Sequence, residues 1–322
     1  MIDAFHEYWA SRPSRTAQKI SEVLATGRPA LIGYLPNGFP NKELGLAAAK
    51  TMIDAGVDIV ELGIPYTDPV MDGPTIQRAA EAALAAGSRP ADVFDTIKAL
   101  NDYRPDVPVL VMSYFNPILK HGVQQFAADL AASGGAGVIT ADLTPDQGAD
   151  WIAAADAYDL DKVFLVAPSS PPERLQLIAR NSRGFIYAAS VMGVTGTREQ
   201  VGSEAEALVA RTRAAIAAVV GQGGAETAAG DVADQSAQSA QYVCVGLGVS
   251  TPAQATEVGR YADGVIVGSA FVRPLLDETQ PWDARLATLH QVVSDLAHAL
   301  TPTQSPLAEQ SRAANQPLET EQ

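Results

Sequence analysis

Three carboxylates, Glu61, Asp68 and Asp72, fall within one short stretch, Val60-Glu61-Leu62-Gly63-Ile64-Pro65-Tyr66-Thr67-Asp68-Pro69-Val70-Met71-Asp72-Gly73-Pro74-Thr75-Ile76-Gln77. An apolar run ends in Glu61, and the Pro and Gly residues behind it fix a rigid loop that carries the two aspartates. A strand end and the loop after it are where α/β enzymes place their chemistry. A second reading makes Asp68 and Asp72 turn formers, one of them capping a helix that begins near Thr75. Glu61 resists that reading, because a carboxylate closing a run of Val, Ile and Val is costly to bury without a partner or a purpose.

The types missing from strand ends narrow the chemistry further. His6, His290 and His298 lie outside the strand candidates, only His121 falls in a strand-to-helix loop, and no metal-ligand cluster can be assembled from them. Lys162 begins its strand and Lys120 sits well into a loop, so a Schiff-base lysine is poorly supported. Carboxylate-based general acid–base work is what remains. Three glycine-containing loops follow the last three strand candidates: Met192-Gly193-Val194-Thr195-Gly196, Gly246-Leu247-Gly248-Val249-Ser250 and Gly268-Ser269-Ala270. Glycine lets a backbone approach a ligand closely, and backbone N–H groups at a helix start can hold an anion without a cationic side chain.

Positioning these groups requires elements, and the apolar runs supply them. The strand candidates are 30–34, 57–62, 109–113, 137–141, 162–166, 185–188, 242–245 and 264–267, mostly continuous in apolarity, as strands covered on both faces require. Amphipathic segments at 42–55, 75–86, 122–133, 147–158, 172–180, 203–219, 251–261 and 282–299 each follow one of them. Eight such units over roughly 270 residues predict an α/β fold, a (β/α)8 TIM barrel, with the helical segment 15–24 capping its N-terminal face. An open doubly wound sheet would need a Gly-rich fingerprint after its first strand, and Leu35-Pro36-Asn37-Gly38-Phe39-Pro40 is not one. One catalytic domain over residues 1–300 is expected, interrupted by a polar, flexible segment at 221–241 and followed by a disordered tail at 301–322.

Composition sets the outer bounds. The 322 residues are 47% hydrophobic and 18% charged, which fits a sizeable core. A net charge of −15 disfavours nucleic acid and anionic lipid surfaces, so an anionic substrate must be held by local dipoles. The single cysteine, Cys244, lies in an apolar run and reads as a core residue, which together with no leader-like start and no long apolar window points to a soluble cytoplasmic protein.

From about Ala30 through Pro274 the chain resembles the α subunit of tryptophan synthase. The resemblance rests on Glu61 through Gln77, with Tyr66-Thr67 where the family more often has Phe-Ser and Met71 where a small residue is common. Ser113-Tyr114-Phe115-Asn116-Pro117-Ile118 is similar to the family's loop after strand three, and Ala188 through Gly196 contains its mobile loop. In Ala141-Asp142-Leu143-Thr144-Pro145, Thr144 intervenes before the proline.

The resemblance implies cleavage of indole-3-glycerol phosphate to indole and glyceraldehyde 3-phosphate. Carbon 3 of the ring must gain a proton and the side-chain hydroxyl must lose one, while the ring nitrogen's growing positive character needs a nearby anion. By resemblance Glu61 takes the first task and Asp72 the second. Tyr187 positions Glu61 or closes the pocket, and Thr195 holds Asp72. Gly196, Gly248, Gly268 and Ser269 take the phosphate. Phe39 or Leu35, Met112, Ile139 and Ile266 are candidates for an apolar indole slot. The implied partner is a pyridoxal-phosphate β subunit in an α2β2 complex, faced by Pro65, Asp68, Asn116 and Pro117, and this chain itself binds no cofactor. An isomerase or aldolase of sugar phosphates, an idle activator of the β subunit and a stand-alone lyase stay open beside this reading.

Overall fold

In the computed structural model, residues 14–189, 198–223, 242–246 and 248–301 are described. Among the described residues nine parallel strands form one sheet: β1 (Ala30–Pro36), β2 (Ile59–Gly63), β3 (Val109–Ser113), β4 (Gly137–Thr140), β5 (Asp161–Val163), β6 (Leu165–Val166), β7 (Phe185–Ala189), β8 (Tyr242–Gly246) and β9 (Gly264–Val267). Their order is β5-β4-β3-β2-β1-β9-β8-β7-β6. The two outer strands, β5 and β6, are the halves of one expected strand, parted by Phe164. The Arg183 and Tyr187 N–H groups donate to the carbonyls of Lys162 and Phe164 at 2.9 and 3.1 Å, so the edges meet and the sheet closes into a TIM barrel.

The longer strands alternate between two cores, which is why their sequences read as almost continuously apolar. Inward positions Ala30, Ile32, Ile59, Leu110, Ile139, Val163, Phe185, Cys244 and Ile266 fill the barrel. Outward positions Leu31, Val60, Leu62, Val111, Val138, Phe164, Ile186, Val243 and Val265 meet the surrounding helices. Those helices are α2 (Lys42–Asp54), α3 (Pro74–Ala85), α4 (Asp92–Tyr103), α5 (Phe115–His121), α6 (Val123–Ala132), α7 (Ala149–Ala157), α8 (Pro172–Asn181), α9 (Arg198–Gly223), α10 (Pro252–Val258), α11 (Ser269–Leu275) and α12 (Trp282–Leu300). Three of them, α4, α5 and α11, were not expected from the sequence. Conversely, α9 continues through Gly223, so the polar segment expected from Gly221 begins later; residues 224–241 and 302–322 lie outside the described residues.

The leading helix α1 (Arg15–Leu24) covers the N-terminal mouth. Ile20 and Val23 enter the barrel's own apolar cluster, each burial favouring docking by about 2 kcal/mol. Ser14 caps the helix, accepting from the Ala17 N–H at 2.9 Å, and its hydroxyl donates to the Asp161 carboxylate at 2.8 Å. The chemistry is thereby confined to the opposite, C-terminal mouth.

Candidate active site at the C-terminal mouth

Glu61 is an inward position of β2, paired with Tyr34 on β1 and Leu110 on β3. It is 1% exposed, and among the described residues neither carboxylate oxygen has a hydrogen-bond partner. Burial, with the charge of Asp72 adding to it, pushes its pKa up to about 8, so near neutrality this carboxyl holds its proton.

Asp72 reaches the same mouth from the loop after β2. Its backbone is fixed on both sides: its N–H donates to the Pro69 carbonyl at 3.0 Å, and the Gln77 side-chain amide donates to its own carbonyl at 2.8 Å. Helix α3 is capped by Gly73 without any side-chain hydrogen bond, so neither aspartate is spent as a cap. Half-buried, Asp72 has its pKa raised by desolvation to about 6, below that of Glu61. Two carboxyls in one mouth therefore differ in protonation near pH 7, one a donor and the other an anion. Asp68 is exposed and engaged locally, accepting from the Thr67 hydroxyl at 2.7 Å.

The loop bearing Asp72 is braced from β3. The Met71 N–H donates to the Tyr114 hydroxyl at 2.9 Å, the Tyr114 ring lies 5.2 Å from that of Tyr66, and the Asn116 amide donates to the Tyr66 hydroxyl at 3.1 Å. Asp142 supports the same turn from beyond β4, accepting from the Phe115 N–H at 2.8 Å. The intervening Thr144 leaves that contact in place.

Tyr187 is an inward residue of β7, and Glu61 and Asp72 both act electrostatically on its phenol, which burial holds well above the ordinary range. Gly248 has a positive φ of 66°, with nothing within 4 Å of where a side chain would begin. Gly268 precedes α11, and Ser269 is that helix's first residue. The structure thus brings Glu61, Asp72 and Tyr187 together, with Gly248, Gly268 and Ser269 on the loops after β8 and β9. Thr195 and Gly196 lie outside the described residues.

Two expectations need correction. Leu35 and Phe39 belong to the outer core, because strand parity turns Leu35 toward the helices, so neither lines the barrel interior. Met112, Ile139 and Ile266 do face it. Pro65 and Pro117 are buried within the chain, whereas Asp68 and Asn116 are exposed. The exposed apolar side chains of this rim are Val70 and Leu119, 84% and 59% exposed, with Met71 beside them. The site residue that sequence reading passed over is Tyr34, whose inward parity follows from its pairing with Glu61.

A closed barrel with a neutral and a charged carboxyl at one mouth, and glycine loops after its last two strands, defines a TIM-barrel enzyme that works by proton transfer. Comparison with known proteins gives the family. The family model described as tryptophan synthase alpha chain matches residues 20–237 and 225–301. The alpha chain of Thermobifida fusca is 49% identical over 260 residues, 81% of this chain and 88% of that relative. That of Mycobacteroides abscessus is 50% identical over 262 residues, 81% of this chain and 90% of the relative. The solved structure of Mycobacterium tuberculosis tryptophan synthase superposes with a TM-score of 0.75 at 43% identity, covering 90% of this chain and all (100%) of that one. The chain belongs to the tryptophan synthase alpha chain family, with the α-subunit role that this membership carries. The two matched segments meet at 225–237, inside the polar stretch between α9 and β8. Among the described residues no helix is long and apolar enough to cross a membrane.

Proposed function

We propose that Glu61 and Asp72 divide the work of cleaving indole-3-glycerol phosphate. Neutral Glu61 delivers its proton to carbon 3 of the ring, and the resulting carboxylate then takes the proton of the side-chain hydroxyl as the carbon–carbon bond breaks. Indole and glyceraldehyde 3-phosphate leave, and Glu61 ends the cycle protonated as it began. Asp72 stays ionised and faces the ring nitrogen while positive charge grows there, where a dry site makes that attraction strong. The observation that carries this reading is Glu61 itself, a fully buried carboxyl on an inward position of β2, two residues before the strand's C-terminal end, with both oxygens unpartnered among the described residues.

Tyr187 orients Glu61 across the mouth. Gly248, Gly268 and Ser269, with Gly196, receive the phosphate through backbone N–H groups, which suits a chain of net charge −15. Thr195 holds Asp72 in place. Met112, Ile139 and Ile266 form the apolar floor beneath the indole. The partner is a tryptophan synthase β subunit in an α2β2 assembly, met by the rim that exposes Asp68, Asn116, Val70 and Leu119. One catalytic domain runs to Leu300, and a cytoplasmic location accords with the acidic composition and lone buried cysteine. Indole release by the purified protein, alone and with the β subunit, is the test. Activation by β and its loss in Glu61→Gln and Asp72→Asn are expected, and no cleavage under any condition would overturn the assignment.

A further inference from the structure

Tyr34 stands beside Glu61, its Cα paired with that of Glu61 across β1 and β2. Its hydroxyl rests where Gly63 leaves room, since a side chain started at Gly63 would fall 2.2 Å from the Tyr34 Oη. Its ring lies along Gly268, whose Cβ would come within 3.2 Å of Cδ1. Tyr187 uses the same seat on the far wall, its hydroxyl over Gly246, where a Cβ would again fall at 2.2 Å. Two glycines at strand ends thus make room for two phenol hydroxyls above one buried carboxyl. Among the described residues both oxygens of Glu61 are unpartnered.

Once Glu61 has given up its proton, it becomes a carboxylate in a water-poor interior and needs a donor. We propose that Tyr34 is a positioning residue for the cleavage reaction, its hydroxyl seated on Gly63 so as to donate a hydrogen bond to Glu61 in the ionised state. This rests on the acid–base role given to Glu61 above. The groups that face Glu61 are Asp72 from the loop after β2, Tyr34 from β1, Tyr187 from β7 and Cys244 from β8. Burial keeps both phenols and the thiol protonated well past neutrality, so within the working range only the two carboxyls titrate.

The test is Tyr34→Phe in the complex with the β subunit, which removes one oxygen and keeps the ring against Gly268. A loss of about tenfold in kcat is expected, as for removing one hydrogen bond to a charged group, with KM within about twofold. The alkaline limb of the rate profile should move up by about one pH unit, because the charged form of Glu61 loses a donor. Gly63→Ala, which drives the hydroxyl from its seat, should move the limb in the same direction. A Tyr34→Phe enzyme with unchanged kcat and pH profile, or one in which only KM rises, overturns the inference and leaves Tyr34 as pocket wall. If Glu61→Gln retains full activity in the same assay, the assignment of Glu61 fails first and this inference falls with it.

Discussion

Replacing Glu61 by Gln removes a proton-binding site that folding perturbs, so it should change how stability depends on pH as well as abolish activity. A carboxyl whose pKa is higher folded than unfolded binds more protons in the folded state, so its presence costs stability as pH rises. For Glu61 the cost is absent below the ordinary value of 4.5, grows through the neutral range and is complete above about 8. That whole interval corresponds to roughly 5 kcal/mol, and between about pH 5.5 and 8.5 the cost grows by about 3 kcal/mol. Gln brings its own unpartnered amide, but that penalty is the same at every pH. The assay is urea denaturation of wild type and Glu61→Gln at the two pH values, each carried to a free energy in water. The variant should gain on wild type by about 3 kcal/mol between the lower and the higher pH. A difference that stays constant with pH would mean that Glu61 is not desolvated in the folded protein, and would refute the protonation state on which the mechanism depends.

Further outcomes follow from other contacts. The rate should trace a bell, falling below about pH 6 as Asp72 is protonated and above about 8 as Glu61 is ionised, the two values belonging to the coupled pair; steady-state kcat/KM across pH checks this. Ser14→Ala removes both the cap of α1 and a hydrogen bond to the buried Asp161 carboxylate, and should cost about 2–3 kcal/mol in urea denaturation. Gly137→Ala would set a methyl 2.2 Å from the Asp161 carbonyl oxygen, and should destabilise the chain by about 3 kcal/mol or more, read as a fall in the urea midpoint.

Much of the architecture was legible because two-sided burial writes itself as apolar runs, and the runs at 30–34, 109–113, 185–188 and 264–267 fell on strands. The fifth run hid its break, since Phe164 is as apolar as its neighbours and only the hydrogen bonds divide it. Helix α4 carried a usable signal in Val93, Ile97 and Leu100, buried at helical spacing, whereas α5 and α11, each seven residues long, are too short for periodicity to declare them. Glu61 could be singled out because a carboxylate in an apolar run is costly to bury, whereas Asp72, in the loop beyond, was separated from Asp68 only by the family resemblance. Tyr34 could not, because its direction depends on parity relative to Glu61, and parity is a property of register between strands rather than of either segment. The same gap misplaced Leu35, one residue further along β1 and therefore on the opposite face.

The proton that reaches carbon 3 of the ring offers the most direct test of the central claim. Indole incubated in heavy water with the α–β complex should exchange its carbon 3 hydrogen for deuterium, followed by loss of that resonance in proton NMR after subtraction of the protein-free rate. Wild type is expected to catalyse the exchange and Glu61→Gln to slow it by at least about a hundredfold. Exchange at the wild-type rate in the Gln variant would contradict the assignment, because some other group would then be carrying the proton.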